Sequence, residues 1–146
     1  MEKAKQYYSQ FNLGGQTGVF SWDDKTVGVH ALMAELTGDA VYKDSLAKFC
    51  DHAVSGQQKS PGGMLYYMEW GSLRYAANAA FICLQVRNFL SLGSNARERI
   101  SFSYRYISFY LLFKAADLVD GKETAYANLA QEQMDYILGG NPQGQG

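Results

Sequence analysis

Charge of either sign is scarce in this sequence: 13 basic and 14 acidic residues leave a formal net charge of -1. No basic run stands out, so the charge pattern gives no reason to expect nucleic acid or an anionic membrane surface as a partner. Long hydrophobic runs are missing as well. No clean stretch of about 18 apolar residues reads as a membrane-spanning helix, and the opening MEKAKQYYSQ lacks the apolar core of a signal peptide. Cysteine is limited to Cys50 and Cys83, neither with another cysteine or a histidine at metal-ligand spacing. Both fall in helical apolar patterns and read as buried thiols. The two histidines, His30 and His52, lie inside predicted helices and read as packed or partly exposed. No metal or other cofactor is expected.

What is present fits one packed domain: 146 residues, 47% hydrophobic and 14% aromatic, with 11 tyrosines. Excess tyrosine serves core packing, and it also serves sugar-binding and protein-binding surfaces. The periodicity is helical almost throughout. Glu2 to Gln10 reads as the tail of a helix, followed by a loop at Gly14, Gly15 and Gly18. Trp22 to Leu36 places Val27, Ala31, Ala34 and Leu36 near one face, with Asp23 and Asp24 at the positive N-terminal end. Gly38 stops that helix and Asp39 is placed to cap the next, Ala40 to Val54, giving an antiparallel hairpin. A turn-rich connection, QQKSPGGMLYYMEWG, holds Pro61, Gly62 and Gly63, with Met64 to Met68 as a candidate extended segment. The helix from Ser72 carries AANAA, whose small residues admit a close neighbour, and Asn78 within it needs a partner. A last helix, Glu123 to Leu138, ends at Gly139, Gly140 and Pro142. The fold class is all-α.

Three blocks, FSWDDKTVGVHALMAELTGD, SPGGMLYYMEWGSLRYAANAAF and AQEQMDYILGGNPQGQ, resemble consecutive segments of the catalytic domain of glycoside hydrolase family 9. The WGxxRY run ahead of AANAAF and the YILGGNP ending are its most specific signals. The resemblance implies part of a toroid of six α/α hairpins with an open cleft, hydrolysing β-1,4-glucan with inversion of the anomeric centre. It also implies an extracellular setting, which nothing in the chain itself shows. The substrate residues it implies are Trp22, Trp70, Arg74 and Tyr75, with Asp23 and Asp24 as polar support. Indoles stack on the apolar faces of the sugars while charged and amide groups bind their hydroxyl edges. Against this, each tryptophan can simply pack at a helix start, and Arg74 can pair with Glu69 or with Asp23 and Asp24.

Two departures qualify the resemblance. An inverting glycosidase needs a carboxylate base and a carboxylic acid roughly 6.5–9.5 Å apart on opposite sides of the bond. The family's Asp-Ala-Gly-Asp base motif is not in the chain, nor is its C-terminal acid glutamate. Asp23 and Asp24, being adjacent, cannot flank a bond from both sides, so no catalytic residue is assigned. The second departure is Val86 to Lys114, rich in Phe, Tyr, Ser and Arg, without consistent period, standing where AAFICLQ would otherwise run into AADLVDGKETAYANLAQEQ. Gln85-Val86-Arg87 can be encoded CAG-GTA-AGA, an exon end with a splice donor. The segment therefore reads as a retained intron translated in frame, or as a true insertion. The expectation is residues 1–146 as a partial family 9 catalytic domain, interrupted by an atypical insert at 86–114. A glucan oligosaccharide is the expected partner. A non-catalytic glucan-binding remnant and a plain helical interaction module are the alternatives.

Overall fold

The computed structural model describes residues 2–15, 18–91 and 122–142. Among these the chain is all-helical, as expected. The helices are α1 (Glu2–Gln10), α2 (Thr26–Thr37), α3 (Ala40–Ser55), α4 (Ser72–Ser91) and α5 (Lys122–Ile137). The candidate extended segment is reduced to one isolated antiparallel bridge between Lys59 and Leu65.

The α2–α3 hairpin forms at Gly38, whose φ of 74° is the left-handed turn that stops α2 and returns its N–H to the Ala34 carbonyl. Asp39 occupies the N-cap position of α3, but its side chain makes no cap hydrogen bond. Its carboxylate instead accepts from Lys5 Nζ at 2.9 Å, which ties α1 to the hairpin turn. That ion pair holds the Asp39 carboxyl below its ordinary range and the Lys5 ammonium above its own, the hydrogen bond being the main cause for each. Helix α2 begins at Thr26 rather than at Trp22, because Trp22 to Lys25 are taken up by a turn. Its inward face is Val27, His30, Met33 and Ala34, while Leu36 points outward.

The two cysteines are buried as expected, but they are not thiols. Cys50 on α3 and Cys83 on α4 are bonded to each other, with Cα atoms 5.5 Å apart and a sequence separation of 33. A one-dimensional pattern shows that each faces inward; only the packing of α3 on α4 shows that they face each other.

Helices α4 and α5 form the broadest contact of the described residues. Ala76, Ala79 and Ala80 are buried along α4, so α5 approaches closely with Tyr126, Leu129 and Ala130. One core joins all five helices, Tyr8, Val27, Leu46, Phe49, Ile82 and Tyr126 among its members. Burying each large apolar side chain contributes about 1.5–3 kcal/mol. Tyr126 also reaches α3, where its hydroxyl donates to Asp51 Oδ1 at 2.6 Å and lies 3.2 Å from the Ala47 carbonyl oxygen. Helix α4 passes through Gln85 and Val86 without a break and runs to Ser91, with Val86 buried. The change of composition at Val86 is therefore not a helix end. The rest of the anomalous segment, 92–114, lies outside the described residues.

Candidate functional site

Two loops lead into the N-termini of α2 and α4, and they carry the residues singled out from the sequence. The first is a tight turn around Ser21. Buried Ser21 accepts through Oγ from the N–H groups of Asp23 and Asp24, at 3.2 and 3.1 Å, and donates its own N–H to the Asp24 carbonyl at 3.0 Å. Asp24 Oδ1 accepts the Thr26 N–H at 2.9 Å, satisfying a free donor at the start of α2. Lys25 Nζ closes the turn on the Ser21 carbonyl at 2.6 Å. Asp23 is exposed, and Trp22 stands out of the turn with 79% of its surface free.

The second loop runs from Gln57 to Gly71 and is held along its length. Ser60 and Met64 exchange hydrogen bonds across the Pro61-Gly62-Gly63 turn, and the Gln57 side chain donates to the Tyr66 carbonyl. Gly62 presses on the end of α5 so closely that an added Cβ would lie 2.7 Å from Pro142 and 2.8 Å from Tyr136. Leu65 is fully buried, and the Tyr67 ring packs 6.1 Å from that of Tyr75. Burial pushes the Tyr67 phenol up to about 12. Gly71 then turns the chain into α4 at φ 68°, a left-handed conformation that suits glycine. Just before it, Trp70 is 83% exposed.

Arg74 does not pair with Glu69 or with the aspartates. Its Nη2 donates to Tyr75 Oη at 2.9 Å, and its guanidinium carbon lies 4.8 Å from the Tyr75 ring centre. Tyr75 itself is 3% exposed, so it supports Arg74 and Tyr67 rather than standing free as Trp70 does. Each loop is tied to α4, the second through the Tyr67–Tyr75 ring contact and the first through Asn78. Asn78 stands one turn after Arg74 on the same helix face and donates through Nδ2 to the Phe20 carbonyl at 2.9 Å, which supplies the partner it needs. Phe20 is held from the other side by Gly28 of α2, where an added Cβ would come within 2.9 Å of its ring. His30 is buried beside Leu13 and Tyr8, its Nε2 2.7 Å from the Leu13 carbonyl oxygen, while His52 is exposed near the end of α3. Among the described residues no group of three or more His, Cys, Asp or Glu side chains is placed to hold a metal ion. No helix there is long and apolar enough to cross a membrane.

Sequence reasoning missed Ser21, Tyr67 and Gln133. Gln133 is fully buried, its Oε1 accepting the Leu65 N–H at 2.7 Å and its Nε2 donating to the Gly63 carbonyl at 3.2 Å. The signal for it was a polar residue within the apolar stripe Tyr126, Leu129, Ala130 of α5.

The family model described as "Glycosyl hydrolase family 9" matches residues 1–146. Endoglucanase 14 of Arabidopsis thaliana is 34% identical over 143 residues, covering 89% of this chain and 26% of the relative. The structure of an endoglucanase from the termite Nasutitermes takasagoensis matches with a TM-score of 0.68 and 33% identity, over 94% of this chain and 25% of that one. Endoglucanase CelQ from Clostridium thermocellum, solved in complex with cellotriose, matches with a TM-score of 0.62 and 26% identity, over 87% of this chain and 18% of that one. The helices described above are part of the six-hairpin α/α barrel of these neighbours. The chain spans about a quarter of the length of the curated relative and of the termite enzyme.

Proposed function

The chain belongs to glycosyl hydrolase family 9, and we propose that its two tryptophan loops form part of the β-1,4-glucan cleft of an endo-acting, inverting glucanase. The observation that carries this reading is the contrast within each loop. The backbone around Trp22 and Trp70 is tied down by named hydrogen bonds, yet the two indoles are 79% and 83% exposed. No described helix covers either indole, and a large apolar side chain on a fixed support is suited to stacking on a ligand. Flat indole faces match the apolar faces of β-linked glucose. The guanidinium of Arg74 offers five donors, one of them engaged by Tyr75, for the hydroxyl edges. Asp23 supplies an exposed acceptor beside Trp22, and Asp24 and Tyr75 hold their neighbours in place. The solved relative in complex with cellotriose supports a glucan oligosaccharide as ligand.

No pair of carboxylates in the described residues is assigned to acid and base, and the chain binds glucan without cutting it. In the whole enzyme the base and the acid come from segments other than these, and residues 1–146 are one portion of the catalytic domain, interrupted at 86–114. An extracellular setting follows from the insoluble, extracellular nature of the polymer, and the disulfide supports it, since such bonds persist in oxidising compartments.

The test is a calorimetric titration of the chain with cellohexaose beside an assay for new reducing ends on carboxymethylcellulose. Saturable binding without hydrolysis is expected. Trp22→Ala and Trp70→Ala should each weaken binding about tenfold or more while leaving the thermal midpoint near wild type, because both side chains are exposed. A folded chain that binds no cellohexaose, or binds it equally without either tryptophan, returns the site to the reading of a plain helical interaction module.

A further inference from the structure

We propose that two side-chain amides, Gln133 on α5 and Asn78 on α4, are positioning residues that each set one tryptophan loop for glucan; this rests on the glucan-binding reading above. Gln133 is one of only three polar or charged residues buried among the described positions, and it is fully so. Its amide is used at both ends on a single target: it accepts from Leu65 and donates to Gly63, which brackets Met64. Beyond the Lys59–Leu65 bridge and its flanking bonds the loop has few backbone partners of its own, and it leaves the Leu65 N–H to a side chain 68 positions away. The same stretch is seated by Gly62 against Pro142 and Tyr136, so the PGG turn and the ILGGNP end of α5 fit together as one unit. The fixed point is then carried forward by buried Leu65 and by the Tyr67–Tyr75 ring contact. The Ser72 hydroxyl completes the path by donating to the Met68 carbonyl at 2.7 Å, which brings the chain to Trp70.

Asn78 does the corresponding work for the other loop. Its Nδ2 holds the Phe20 carbonyl, one residue before the Ser21 turn from which Trp22 projects. Each amide thus reaches from a packed helix to a loop backbone, Gln133 fully buried and Asn78 half-buried with its Nδ2 engaged by the Phe20 carbonyl. Their contribution is preorganisation. A loop already fixed in the binding geometry does not lose further conformational freedom when the sugar stacks, so affinity rises without a new contact.

The experiment reads each loop separately and reads sugar binding beside it. Steady-state anisotropy of Trp70 is measured in a Trp22→Phe background and that of Trp22 in a Trp70→Phe background, with and without Gln133→Met or Asn78→Leu. Cellohexaose affinity is measured in chains that keep both tryptophans. Gln133→Met should lower the anisotropy of Trp70 and leave Trp22 unchanged, and Asn78→Leu should do the reverse. Each should weaken cellohexaose binding about fivefold. Gln133→Glu, which keeps the acceptor for Leu65 but loses the donor to Gly63 when ionised, is the second variant for the loop should the methionine chain fail to fold. Unchanged anisotropy and affinity in the amide variants, with binding still lost on Trp70→Ala, overturns the positioning role and leaves the glucan reading intact. An equal change at both tryptophans overturns it too, because it marks general loosening rather than one amide per loop. Absence of cellohexaose binding in wild type sinks the glucan reading, whereas the crossed anisotropy pattern still decides whether the amides set the loops.

Discussion

Tyr67 and Tyr126 show how single side chains record the packing around them. Burial raises both phenols, Tyr67 to about 12, and for Tyr126 the hydrogen bond to Asp51 and the carboxylate charge add to burial. The folded chain therefore holds these protons more tightly than the unfolded chain, whose tyrosines titrate near 10. The stability linked to them is complete below about pH 10 and is lost as pH rises through the folded values. Denaturant midpoints should hold from pH 9 to about pH 10 and fall from there to pH 11.5, and Tyr67→Phe with Tyr126→Phe should flatten the fall. A midpoint equally steep in the double variant would place the alkaline sensitivity elsewhere. Tyr67 matters for the site as well, since its neutral ring is part of the path from Leu65 to Trp70.

Among the helices, the α3–α4 disulfide is the feature with the largest single expected effect. Closing a loop of 33 positions removes denatured-state entropy equivalent to about 3–4 kcal/mol. Denaturation with and without reductant, and of Cys50→Ala with Cys83→Ala, should show a loss of that order, while mapping of unreduced peptides recovers Cys50 joined to Cys83. An equal midpoint in oxidised and reduced protein would show that burial alone sets the stability of this pair. The same bond marks the limit of what the sequence made legible. Helix periodicity located α2 to α5 within a few residues, and Gly38 and Gly139 marked real turns, because spacing and backbone freedom are local properties. Pairings across the fold were not local. Cys50 with Cys83, Lys5 with Asp39, Gln133 with Leu65 and Asn78 with Phe20 each join positions 33 to 68 apart. At the candidate site, the placement of Trp22 and Trp70 in loops before α2 and α4 was legible, because turn residues and helix periodicity are local. The loop anchors Ser21 and Gln133 were not, since serine and glutamine are ordinarily surface residues.

At the scale of the whole molecule, two tendencies oppose each other. One core and one disulfide join the described helices, which favours a defined tertiary structure. Yet Tyr7, Phe11, Leu32, Leu36, Val41, Leu73, Phe81 and Leu138 are each about half exposed or more, and they are spread over the outer faces of α1 to α4 and the end of α5. In a barrel of α/α hairpins each hairpin buries its flanks against the next, and this chain spans about a quarter of the termite enzyme it matches. Aromatic-rich stretches such as ISFSYRYISFYLLF add β-propensity to hydrophobicity within the same sequence. Exposed apolar side chains on several helix faces favour self-association over remaining in water. The isolated chain should therefore bind the dye ANS strongly, sediment as a mixture of oligomers and lose helical signal over a broad temperature range. Placing charges on the outer face of α2 and the start of α3, through Leu36→Glu and Val41→Lys, should shift the population toward monomer without lowering the thermal midpoint, because both side chains are exposed. A soluble wild-type monomer with one sharp calorimetric transition and no ANS binding would show that the core and the disulfide suffice, and that the outer faces need no neighbouring hairpins.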